Sequence, residues 1–124
     1  MKTDIDSPHM QSLWEREEVV LLVSEYFRTK HMSAEEIKDS RKMISRVLRN
    51  RKICITGTVD ISPTFRDYNG ICMQSSRIRC IDPDTHYSGM QGTKLQKEIF
   101  AEYLSNSQKV IEEANEVIRK YSVK

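Results

Sequence analysis

Apolar residues return along this chain at intervals of three and four, the spacing that keeps one face of a helix on one side. Leu13, Trp14, Val20, Leu21, Val23, Tyr26 and Phe27 follow this rhythm behind Ser12 and Glu15, which have the S-x-x-E spacing of a capping box. Glu15, Glu17 and Glu18 open the segment and Arg28 and Lys30 close it, as a helix dipole favours, so a helix is predicted over 13–30. The device repeats in "SAEEIKDSRKMISRVLRNRK". Ser33 and Glu36 form a second box, and Ile37, Ile44, Val47 and Leu48 form a narrow apolar stripe in an otherwise charged helix, 34–50.

The pattern then changes. In "ICITGTVDISP", Ile53, Ile55, Val59 and Ile61 alternate about Thr56-Gly57, and a short strand pair or an extended linker fits equally well. Ser62-Pro63 reads as the start of one short turn. Helical spacing resumes in "NGICMQSSRIRCIDP", where Ile71, Ile78 and Ile81 mark the buried face of a helix over 69–81, stopped by Asp82-Pro83. Thr93 and Gln96 start a fourth helix carrying Leu95, Ile99, Phe100, Tyr103 and Leu104, and "SNS" breaks it. A fifth, over 108–121, places Val110, Ile111, Ala114, Val117, Ile118 and Tyr121 on one stripe.

These segments predict a mainly α fold: a small five-helix domain over 11–124, with a helix-turn-helix-like core and room for one short strand pair. The expected joint core is Trp14, Leu21, Ile44, Leu48, Ile78, Ile99, Phe100, Val110, Ala114 and Ile118. "MKTDIDSPHM", residues 1–10, has no periodicity and reads as an expression tag outside the fold.

Composition narrows the class. Of the 124 residues, 38% are hydrophobic and 31% charged, the balance of a globular chain with a large solvated surface. No apolar run approaches the roughly 18 residues of a membrane span. Cys54, Cys72 and Cys80 are odd in number and have 17 and 7 residues between them, which reads as reduced thiols of a cytoplasmic protein. That spacing is also not that of a zinc site, so no metal or cofactor is expected. No elbow marks a Cys or His nucleophile, the acids sit on helix faces as solvated charge, and neither a P-loop nor G-x-G-x-x-G is present. Nothing here points to an enzyme.

Charge is the remaining signal. The net charge is only +2, but residues 33–80 hold 10 basic and 5 acidic groups, while the segments on either side are net acidic. Arg41, Lys42, Arg46, Arg49, Arg51 and Lys52 cluster on and just after the second helix, and Arg66, Arg77 and Arg79 follow. Such a run is often only a solvated face; its imbalance beside acidic flanks points to nucleic acid.

"FRDYNG", 65–70, stands at the start of the third helix. A helix start leaves N–H groups unpaired, Gly70 lets a phosphate approach closely, Asp67 or Asn69 can cap, and Arg66 adds a charged fork. The competing reading has Asp67 filling the cap itself and Arg66 paired to an acid on the fifth helix.

In order and spacing, "WEREEVVLLVSEYF", "ISRVLR", "FRDYNGICMQSSRIRCIDP" and "KEIFAEYL" resemble the N-terminal helical domain of McrA-like HNH-nuclease restriction proteins of bacterial defence systems. Asp67 stands where that family usually has Asn, and Gln74 and Ser75 where Lys and an apolar residue are common. The chain has no Cys-x-x-Cys frame and no His-rich catalytic segment. The resemblance therefore implies a non-catalytic, DNA-targeting module, with double-stranded DNA, including modified DNA, as partner and a nuclease domain or subunit alongside. On this reading Arg66 and the second-helix cations hold phosphates, and Gln74, Ser75, Ser76 and Arg77 face base edges. The alternative is a protein-interaction or dimerisation module using the fifth-helix stripe or the aromatics Tyr68 and Tyr87.

Overall fold

The structure, a computed structural model, describes residues 13–122. It contains five helices: α1 (Arg16–Thr29), α2 (Ala34–Thr56), α3 (Tyr68–Ile81), α4 (Lys94–Ser105) and α5 (Ser107–Tyr121). The first ten residues, read above as a tag, lie outside the described residues.

α1 is the axis of the domain and touches each of the other four helices. Val19, Val20, Leu21, Leu22 and Val23 are all buried, a run that is apolar around most of the helix and so requires cover on every side. Ile44, Val47 and Leu48 from α2, Ile71 and Ile78 from α3, Ile99 and Phe100 from α4, and Val110, Ala114 and Val117 from α5 supply it. Trp14 and Ile118, expected in the core, pack against it half-buried. Phe27 stacks flat on Tyr103 with centroids 4.0 Å apart, closing the α1–α4 seam.

Local signals set the helix ends. Ser33 Oγ accepts the Glu36 N–H at 3.1 Å, and Glu36 Oε1 accepts the Ser33 N–H at 3.2 Å. Thr93 and Gln96 make the same reciprocal pair at the start of α4. Asn106 ends α4 and begins α5, its side chain accepting the Lys109 N–H at 3.3 Å. At α1 the start differs from the expected Ser12–Glu15 box, half of which lies outside the described residues. There the Glu15 N–H donates to Glu18 Oε1 at 3.0 Å, so the cap sits three residues later.

The strand pair is absent among the described residues. α2 instead continues through Arg51–Thr56 and stops at Gly57, whose φ of 75° is left-handed and whose N–H donates to Ile53 O at 2.8 Å. The alternation that suggested strands has no face to bury: Ile55 and Val59 are both exposed. Without a covering partner, each added residue gains a helical hydrogen bond at little cost, and the helix runs on until a glycine ends it. Residues 57–67 then lead into α3, a connection longer than the three- or four-residue turn that joins the helices of a helix-turn-helix unit. No described helix is long and apolar enough to cross a membrane.

Candidate functional site

α2 turns Ser40, Ile44, Val47 and Leu48 inward. Its opposite face carries Lys38, Lys42 and Arg46, all exposed, with Arg41, Arg49 and Lys52 half-buried along its margins. Between Asp39 and Asp60 the chain contains no acid. No ion pair forms to Lys38, Arg41, Lys42, Arg46, Arg49 or Lys52 among the described residues. Arg49 donates through Nη1 to the carbonyls of Phe65 at 2.6 Å and Ser62 at 3.1 Å, while Lys52 lies over the Phe65 ring at 5.2 Å. Both therefore fasten the 62–67 segment to α2 and keep their charge at the surface. Ser45 adds a third tie, donating to Arg66 O at 2.7 Å.

Two of the predicted phosphate contacts are used elsewhere. Arg51 is on the inner side of α2, donating through Nε to Glu17 at 2.8 Å and through Nη2 to Glu15 at 2.7 Å. Burial works against its charge, but those carboxylates outweigh it and raise the guanidinium pKa. Arg66 is buried: Nε donates to Glu18 Oε2 at 2.7 Å, and the guanidinium lies 3.8 Å from the Trp14 ring centroid. Its acid is on α1, where the sequence reading had offered α5. The helix start beside it is closed as well, because Asp67 Oδ1 accepts the Gly70 N–H at 2.8 Å. Arg66 and Gly70 thus form a structural joint and leave only Asn69 exposed at the α3 entrance.

The four residues considered for base edges do not share a surface. Gln74 Oε1 accepts from Gln96 Nε2 at 2.7 Å, tying α3 to α4. Arg77 Nη1 donates to Gln91 O at 2.7 Å, toward the loop before α4. Ser76 is half-buried, and Ser75 is buried against a cavity.

That cavity, about 300 Å³, lies between the end of α1, the first half of α2, the second half of α3 and the 82–87 loop. Arg41 and Arg79 line it with Ser75, Tyr26 and Tyr87. Its acids are already matched. Glu25 accepts from Arg28 Nη2 at 2.7 Å and Ser40 Oγ at 2.8 Å. Asp82, behind the wall, accepts from Tyr26 at 2.6 Å and Lys30 at 2.5 Å. Burial pushes the Asp82 carboxyl up, but those two donors and the Asp84 N–H bring it below the ordinary range. Burial and that same carboxylate push the Tyr26 phenol well above its ordinary value. Arg79, in sequence one more cation of a basic segment, is held over the Tyr87 ring at 3.7 Å, and its Nε, like that of Arg77, is buried without a partner among the described residues. The only hint of this placement in the sequence is that Ser75 and Arg79 are four apart, on one helix face.

No group of three or more His, Cys, Asp or Glu among the described residues is placed to hold a metal, and the three cysteines are unlinked. The chain matches no protein-family model, no curated protein and no solved structure.

Proposed function

We propose that this domain binds duplex DNA through the outer face of α2, as a non-catalytic targeting module of a bacterial restriction or defence nuclease. One observation carries the DNA reading: Lys38, Lys42, Arg46 and Arg49 share a helix face on which no carboxylate among the described residues pairs with them, while Arg51 on the inner side of α2 and Arg66 before α3 are neutralised by acids at the start of α1. The charge asymmetry of the sequence is therefore sorted in space, with surplus outside and pairs inside, as a phosphate-facing surface requires. The restriction and defence setting rests on the order and spacing of the sequence motifs alone.

Of the surfaces the interaction-module reading would use, Val110, Ala114 and Val117 of the α5 stripe are buried within the domain, while Tyr87 is exposed. Titration of labelled duplex, with and without cytosine methylation, against the wild type and Arg46→Ala at several salt concentrations is the test. Salt-sensitive binding weakened by the substitution supports the proposal; no binding at low salt overturns it.

A further inference from the structure

We propose that the cavity bounded by α1, α2 and α3 is a binding site for a small phosphate monoester, distinct from the outer face of α2 and independent of the DNA reading. Two guanidiniums line it, Arg41 from α2 and Arg79 from α3, and neither has a hydrogen-bond acceptor among the described residues. The nearby acids do not compensate them: Glu25 is taken by Arg28 and Ser40, and Asp84 faces Lys30 at 3.6 Å. Lys30 is shared between Asp82 and Asp84, so the cavity carries an excess of one positive charge, of the sign that attracts a phosphate monoester, charged roughly −1.5 to −2 at neutral pH.

The chemistry of Arg79 sharpens this. Its Nε, like that of Arg77 away from the cavity, is buried with no partner among the described residues, so the guanidinium is only partly compensated. Arg79 lines the cavity, and an oxyanion there can accept charged hydrogen bonds from its guanidinium. Stacking on Tyr87 fixes the plane of the guanidinium before any ligand arrives. Ser75, one turn earlier on α3, is buried at the same wall and its hydroxyl is not taken up by any described residue, which leaves a neutral donor beside the two cations. The remaining walls include Tyr26, Tyr87 and Ile37, apolar surface suited to an organic substituent on the phosphate. A volume near 300 Å³ is at the lower end of small-ligand sites and exceeds what a bare phosphate fills.

The probe is phenyl phosphate, titrated into isotopically labelled full chain at constant ionic strength in chloride, with inorganic phosphate and benzoate in parallel. The expected result is saturable amide shifts confined to the end of α1, the first half of α2, the second half of α3 and the 82–87 loop. Phenyl phosphate should bind more tightly than inorganic phosphate, and benzoate more weakly than either. Arg79→Lys keeps the charge but loses the fork, and should weaken binding by roughly tenfold to a hundredfold, the range for a lost charged hydrogen bond. Ser75→Ala should weaken it severalfold, and Lys97→Ala, which removes a positive charge on exposed α4 away from the cavity, should not change it. Circular dichroism confirms that each variant is folded, and Ser75→Ala remains informative if Arg79→Lys is not. The proposal is overturned if no saturation occurs, if benzoate binds as well as phenyl phosphate, or if a folded Arg79→Lys and Ser75→Ala both bind like wild type. DNA binding depends on Arg46 and not on Arg79, so either reading can fail alone.

Discussion

Arg66 Nε donates to Glu18 Oε2 at 2.7 Å, joining the segment before α3 to the first turn of α1 across 48 residues of sequence. Both side chains are almost wholly enclosed, at 4% and 2% exposed. A second bond, from Nη2 to Glu18 Oε1 at 3.0 Å, makes the contact two-pronged, and Trp14 covers the guanidinium. Arg66 accepts a left-handed backbone, φ 47°, to reach this position, unusual for any residue with a side chain. Removing one partner leaves the other charge buried and uncompensated. Arg66→Ala or Glu18→Ala should each cost about 3–5 kcal/mol. The double variant Arg66→Met, Glu18→Leu should cost clearly less than the two single losses combined. Urea unfolding checks this, and fully additive losses would contradict the pairing.

DNA affinity should fall steeply with salt. Each neutralised phosphate contributes a slope of about 0.9 in log affinity against log salt, so four to six contacts from α2 predict a loss of roughly two to three orders of magnitude between 50 and 200 mM. Substituting Lys42 or Arg46 by Ala should flatten the slope by about one unit and weaken all sequences alike. Arg51→Ala should leave the slope unchanged, because Glu15 and Glu17 already occupy that guanidinium. Fluorescence anisotropy at four salt concentrations separates these outcomes.

Gly57 supplies the left-handed stop of α2, and a Cβ there would meet nothing within 4 Å. The cost of Gly57→Ala is therefore purely conformational, about 1 kcal/mol. Gly57→Asn should cost less, since Asn tolerates this region best among residues with side chains. Equal unfolding midpoints for wild type and both variants would be inconsistent with the glycine stop.

Acid should destabilise the domain through carboxylates held low by their partners. Burial raises Asp82, but Lys30 and Tyr26 outweigh it. Arg16 hydrogen bonds lower Glu102 and Glu113, against a smaller opposing effect of burial. A lowered folded-state pKa gives stability that is complete above the unfolded value, about 4, and is lost as pH falls through the folded one. Urea midpoints should thus be flat from neutrality to about pH 5 and then decline. Asp82→Asn should lower stability at pH 7 and shallow the acid decline; an unaltered decline would remove Asp82 from this account.

The capping pairs Ser33–Glu36 and Thr93–Gln96, the break at Asn106 and the apolar stripes of all five helices were readable from the chain, because each depends on residues within one or two turns of one another. Leu21, Ile44, Ile78 and Ile99 reach the core for the same reason: helical spacing puts them on the faces that must be covered. The extension of α2 past Asn50 was not readable, since a few alternating β-branched residues suit a strand or a helix until it is known whether a sheet exists to receive them. Nor was the sorting of the cations. Arg46, Arg51, Arg66 and Arg79 look alike in sequence, and their difference is made by residues far along the chain: Glu15, Glu17 and Glu18 bring acids to two of them, Tyr87 takes a third as a stacking partner, and Arg46 is left to solvent. Secondary structure follows from neighbours in the chain. Charge compensation follows from neighbours in space, so only the tertiary packing decides which guanidiniums hold the fold together and which remain to meet a phosphate.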